Sequence, residues 1–128
     1  DRDRFDKAGA RWSVATDVGA GTSFSPFRTM LAAYAVGREG QTKRGLSLAP
    51  ADLWWQHTGG AAAAMGLGGV VGNLLPGCEA DFVVLNPQAT PLLARKTQAA
   101  RNLDELLFAL IVLGDDRLVE QTIISQAK

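Results

Sequence analysis

Cysteine and histidine are almost missing from this chain: its 128 residues hold one of each, Cys78 and His57. A lone cysteine excludes an intrachain disulfide and gives no reason to place the chain in an oxidising compartment. Cys78 reads as a buried structural thiol rather than a reactive one. A lone histidine leaves no second imidazole or thiolate within helical reach, so His57 reads as a hydrogen-bonded structural residue rather than a metal ligand. An excess of charge is missing too. Thirteen Lys and Arg balance thirteen Asp and Glu, for a formal net charge of +0. The basic residues are scattered, so neither nucleic acid nor an anionic membrane is an expected partner. No long hydrophobic run exists; the longest, residues 106–113, is far too short to span a bilayer. The first residues, Asp-Arg-Asp-Arg-Phe, contain no signal-peptide core. A cytoplasmic protein is the expectation.

What is present is the composition of a globular domain, 47% hydrophobic and 20% charged. Residues 2–8 read as the tail of a helix stopped by Gly9, and residues 11–15 as a buried strand. That join is an αβ unit, so the chain is expected to begin partway through a repeating βα pattern. Ser25 and Pro26 open a helix through Phe27, Met30, Leu31 and Tyr34, followed by a polar loop over residues 37–45. Pro50 opens a second helix that ends near Gly59 and Gly60, and residues 61–65 form a short third one. Pro76-Gly77 suits a type II turn. Residues 79–86 read as a strand, with Asp81 expected to satisfy turn amides at its mouth. Residues 91–99 look irregular. Leu103, Leu106, Leu107, Leu110 and Ile111 make the strongest helical stripe, with Asn102 as N-cap and Gly114 as the stop. That helix is apolar nearly all round and is expected to be deeply buried. Asp115, Asp116 and Arg117 form a solvated turn, and residues 119–124 a last strand.

The chemistry is concentrated at Asp17. An apolar run delivers this carboxylate to a loop, Val18-Gly19-Ala20-Gly21-Thr22, before the next helix opens. Strand, acid, glycine loop, helix is how an α/β barrel presents a catalytic or metal-binding group at its rim. Such an acid can hold a divalent metal or take a proton from a metal-bound water. It can equally be a turn residue that organises the loop. A phosphate cradle fits less well, because a dinucleotide fingerprint needs Gly or Ala where Phe24 stands, and no Gly-Lys-Ser/Thr follows. The glycines are better explained by positive φ in a tight turn. Trp54 and Trp55 read as packing residues, and Thr58-Gly59-Gly60-Ala61 as a helix end followed by an N-cap.

Three segments taken together carry a resemblance. Ala15-Thr-Asp17-Val-Gly-Ala-Gly21-Thr-Ser-Phe-Ser25, Thr58-Gly-Gly-Ala61 and Leu75-Pro-Gly77-Cys-Glu-Ala-Asp81-Phe-Val-Val-Leu85 resemble the C-terminal part of the guanine deaminases, a family of the amidohydrolase superfamily. Leu103-Asp-Glu-Leu-Leu-Phe-Ala-Leu110 and Leu113-Gly-Asp-Asp-Arg117 extend the likeness over nearly the whole chain. The resemblance implies an α/β fold: the end of a (β/α)8 barrel plus part of a small flanking β-sandwich. Residues 1–69 would close the barrel, 70–90 enter the sandwich, 91–118 hold the C-terminal helix region, and 119–128 give a final sandwich strand. It also implies that Asp17 is both metal ligand and catalytic proton shuttle, with zinc as cofactor and guanine as substrate. Ala15 stands where the family has glycine, and the ending after Ile124 lacks the family's glycine turn and last strand. The family's zinc histidines and general-acid glutamate have no match here. The chain is therefore expected to need the missing N-terminal barrel portion as its partner and to be inactive alone, while a homodimer is left open. A segment of another amidohydrolase acting on an amino-heterocycle, or a non-catalytic structural or interaction fragment, remains the alternative.

Overall fold

A computed structural model describes residues 5, 7–39 and 48–125. Among the described residues, five helices, two strands and a 3-10 turn run in the order α1 (Pro26–Glu39), α2 (Pro50–His57), α3 (Gly59–Ala64), β1 (Phe82–Leu85), α4 (Pro91–Gln98), α5 (Leu103–Leu113), the 3-10 turn (Asp116–Leu118) and β2 (Val119–Ile123). Much of the order follows from local chemistry. Pro50 sits in the first turn of α2, where its missing N–H is no loss, and the Asp52 carboxylate accepts from the Ala49 amide at 3.1 Å. Asn102 caps α5 by accepting from the Glu105 amide at 2.9 Å. One residue ahead of that cap, Arg101 forks onto the Glu105 carboxylate, which holds the carboxyl below its ordinary range. Gly77 has φ 94°, and the Cys78 amide donates to the Leu75 carbonyl at 3.1 Å, which completes the expected type II turn.

Helices α1, α2 and α4 pack on α5, and their inward side chains make the core: Phe27, Met30, Leu53, Leu93, Leu110 and Ile111, joined by Leu118. Trp54 meets Phe27 edge-on, with ring centroids 5.9 Å apart, and its indole N–H donates to the Leu107 carbonyl at 3.3 Å. Trp55, by contrast, is largely exposed, and its ring and carbonyl crowd Gly59 and Gly60 so closely that neither position has room for a Cβ. β1 and β2 form an antiparallel pair in the register Phe82↔Ile123, Val83↔Thr122 and Val84↔Gln121, with an irregularity before Leu85↔Val119. All five β2 residues are exposed, so this ribbon stands on the helices chiefly through Leu85 and the fully buried Leu118 at its base.

Several expectations are corrected. Residues 11–15 form no ladder with any described segment, because pairing needs a neighbouring strand and none lies beside them. Nor is the segment buried as expected: Trp12, Val14 and Thr16 are half-buried while Arg11, Ser13 and Ala15 are exposed. Residues 91–98 are not irregular but helical, since Thr90 caps α4 by accepting from the Leu93 amide at 3.2 Å and Pro91 occupies its first turn. Thr90→Ala should lower the unfolding free energy by about 1 kcal/mol, measured by denaturant titration. α1 runs through Gly37 to Glu39, past the expected loop start, because one interior glycine costs a helix only about 1 kcal/mol. The rest of that loop and most of the first helix lie outside the described residues. The third helix spans 59–64, and the first strand shortens to Phe82–Leu85. α5 is buried at Ala109, Leu110 and Ile111 only; Leu103 is 64% exposed, because the neighbouring helices cover one side of a stripe that runs nearly all round.

Candidate active-site loop

Gly9, at φ 64°, ends the first helical turn and releases the extended segment that carries Asp17. Arg11 pins this segment to the helices by donating to the Ala63 carbonyl in the last turn of α3, at 3.0 Å. Asp17 then adopts φ 51°, the only left-handed non-glycine residue among those described. Aspartate tolerates this region better than most residues, yet such a conformation persists only where its surroundings enforce it. Here the enforcement is visible. The Asp17 carbonyl accepts from Ala20 N at 3.0 Å and from Gly21 N at 2.5 Å, closing the loop on itself. Asp17 is exposed, and its carboxylate makes no hydrogen bond of its own among the described residues. Beyond the loop, the Ser23 hydroxyl accepts from Ser25 N at 3.0 Å, and the Ser25 carbonyl receives Thr29 N as α1 begins.

The two loop glycines have different reasons. Gly19 has φ 102°, as the tight-turn argument expects, and open space where a Cβ would stand. Gly21 has no such φ. A Cβ there would overlap the Thr16 carbonyl oxygen and lie 2.9 Å from that of Asp17, so close approach of backbone to backbone is what demands glycine.

The other residues singled out in the sequence do not gather at this loop. Asp81 accepts from Ser125 N at 2.7 Å across the strand pair, rather than from turn amides. Asp115 caps the 3-10 turn and forms an ion pair with Arg117 that holds its carboxyl below the ordinary range, as a solvated turn should. Cys78 is half-buried, its thiol donating to the Gly69 carbonyl at 3.4 Å. The Thr58 hydroxyl donates back to the Trp54 carbonyl at 2.9 Å instead of capping α3. His57 is not hydrogen-bonded as expected: its Nε2 is buried with no partner among the described residues. Nothing in the sequence near His57 signals this, because the walls around it include β1.

Among the described residues no three of His, Cys, Asp and Glu stand close enough to hold a metal. A zinc hydrolase site needs about three protein ligands besides water, and Asp17 supplies one at most. The described residues do not by themselves fit the ion. No helix among the described residues is long and apolar enough to cross a membrane.

The chain matches the Amidohydrolase family over residues 2–125. It is 39% identical over 109 residues to the guanine deaminase of Escherichia coli, covering 85% of this chain and 24% of that protein. It is 38% identical over 114 residues to a probable guanine deaminase of Deinococcus radiodurans, covering 89% and 26%. The solved structure of E. coli guanine deaminase superposes with a TM-score of 0.90 at 34% identity, over 98% of this chain and 28% of that one. The crystal structure of the Bradyrhizobium japonicum guanine deaminase gives 0.75 at 32% identity, over 90% and 30%. The chain thus spans about a quarter of the length of the relatives it matches. With a family match along nearly its whole length and a fold that follows the corresponding part of two guanine deaminases, this chain belongs to the amidohydrolase family.

Proposed function

We propose that this chain is the C-terminal segment of a cytoplasmic guanine deaminase, which hydrolyses guanine to xanthine and ammonia. The observation that carries the proposal is the Asp17 loop: an unpaired carboxylate on a left-handed residue, fixed by two amides, of the kind on which an α/β barrel displays its reactive groups. In this reading residues 11–16 are a barrel strand whose bare edges belong against strands from outside this chain, and β1 and β2 belong to a flanking sandwich. Residues 1–69 then close the barrel, 70–90 and 119–128 belong to the sandwich, and 91–118 form the C-terminal helix region, as the resemblance implies.

Asp17 is the base in this scheme. Its carboxylate takes a proton from water as the oxygen attacks the amino-bearing carbon of the purine, and the proton leaves with ammonia. The zinc expected for such an enzyme needs ligands that this chain does not contain, so no step is assigned to it here. The glycine loop forms one wall of the purine pocket.

The test compares the 128-residue chain with the polypeptide in which it is joined to the N-terminal part of a guanine deaminase barrel. The joined protein should release ammonia from guanine and hold zinc after dialysis. The chain by itself should do neither. A joined protein that folds but leaves guanine untouched would refute the substrate, and stoichiometric zinc on the chain alone would refute its dependence on outside ligands.

A further inference from the structure

His57 closes α2 at the meeting point of two hollows. One, of about 680 Å³, lies between the helices and the β1–β2 ribbon, among Trp54, Ala61, Val83, Leu85 and Ile123. The other, of about 460 Å³, runs back toward Phe24, Phe27 and Met30 beside the end of the Asp17 loop. The residue as a whole is half-buried, but its Nε2 is closed off from solvent and has no partner among the described residues. An unsatisfied buried polar atom is costly, and a buried charge far more so. The facing charged groups are few. Asp81, just ahead of β1, lines the first hollow, and Asp116, in the 3-10 turn, lines the second; no Lys, Arg or Glu lines either. The Asp81 carboxylate is already engaged by the Ser125 amide. Both acids would favour an imidazolium, yet loss of hydration prevails, and burial pushes the His57 imidazole below its ordinary value of 6.5.

The ribbon is built to respond. It is anchored at one end by buried Leu118 and by Asn86 N donating to the Leu118 carbonyl at 2.8 Å, while every residue of β2 beyond that anchor is exposed. We propose that His57 is an acid-sensitive latch: neutral, it leaves the ribbon seated across the hollow with water kept off Nε2, and protonated, it draws water to that nitrogen and lifts the ribbon about its Leu118 anchor.

The direction follows from proton linkage. The folded form binds the proton less readily than the unfolded one, so the latch is fully effective above about pH 6.5 and weakens as pH falls through the folded value. Within that window the unfolding equilibrium constant should rise by up to about tenfold per pH unit. Because the chain has a single histidine, its Cε1 proton resonance can be followed in the full 128-residue chain without ambiguity. It should titrate below 6.5, and the amides of Val83, Thr122 and Ile123 should shift with the same midpoint, while those of Leu93 and Ile111 stay still. His57→Leu and His57→Gln should both abolish that coupled shift and flatten the acid loss of stability. A histidine that titrates at 6.5 or above, as in an unfolded chain, overturns the proposal. So does a ribbon whose amides ignore the titration, or an acid loss that persists in whichever variant folds.

Discussion

Asp17→Asn, made in the polypeptide that joins this chain to the rest of its barrel, should cut ammonia release from guanine by about 10²–10⁴-fold, the range for losing a general base. The substitution is unusually clean at this position. Asparagine enters the left-handed region at least as readily as aspartate, so φ 51° is kept without added strain. The backbone carbonyl that receives Ala20 N and Gly21 N is untouched, so the loop stays closed. Only charge and basicity disappear, and the carboxylate makes no other hydrogen bond among the described residues that its loss would break. Circular dichroism and the denaturation midpoint should match the parent while turnover collapses. Asp17→Ala should differ in kind, losing turnover and also about 1 kcal/mol or more of stability, because alanine resists a left-handed backbone. An asparagine variant with near-parental turnover would make Asp17 a turn residue and remove it from the mechanism.

How much of this was legible in the sequence depended on how local each cause was. Caps and turns are short-range, so Asn102, Pro50, Gly114 and Pro76-Gly77 marked their elements correctly. The miss at α4 was also local. Pro91 suggests a break, but behind a threonine it is a helix start, and Thr90-Pro91 carried that signal all along. The failures elsewhere are non-local. Whether residues 11–16 form a ladder, and how much of the segment is buried, depends on neighbouring strands, which no pattern inside the segment supplies. The orphaned Nε2 of His57 depends on β1 arriving some 25 residues later in the chain. At the candidate site, the acid and its glycines were visible as residue types. The left-handed Asp17 was not, since aspartate gives no warning of it. The reason for Gly21 is hidden for the same cause: a glycine kept for space looks the same in sequence as one kept for positive φ.

That distinction at Gly21 gives the second large effect. Gly21→Ala adds one methyl group, the smallest possible change, yet the new carbon overlaps the Thr16 carbonyl oxygen and lies 2.9 Å from that of Asp17. Both obstacles are backbone, which cannot rotate aside as the end of a side chain can. The loop must therefore shift, and the bond from Gly21 N to the Asp17 carbonyl, at 2.5 Å, moves with it. A reactive group displaced by about 1 Å loses on the order of 10²-fold in rate, so turnover in the joined enzyme should fall by at least about that factor. Gly19→Ala is the control. Its Cβ meets nothing within 4 Å, so the penalty is only the strain of φ 102°, and turnover should stay within about tenfold of the parent even as stability drops by about 1 kcal/mol. If positive φ were the whole reason for glycine in this loop, the order would reverse, with Gly19→Ala the damaging change and Gly21→Ala nearly silent. Parallel measurement of ammonia release and thermal midpoint in the two variants separates a loop held by close backbone approach from one held by conformational freedom alone.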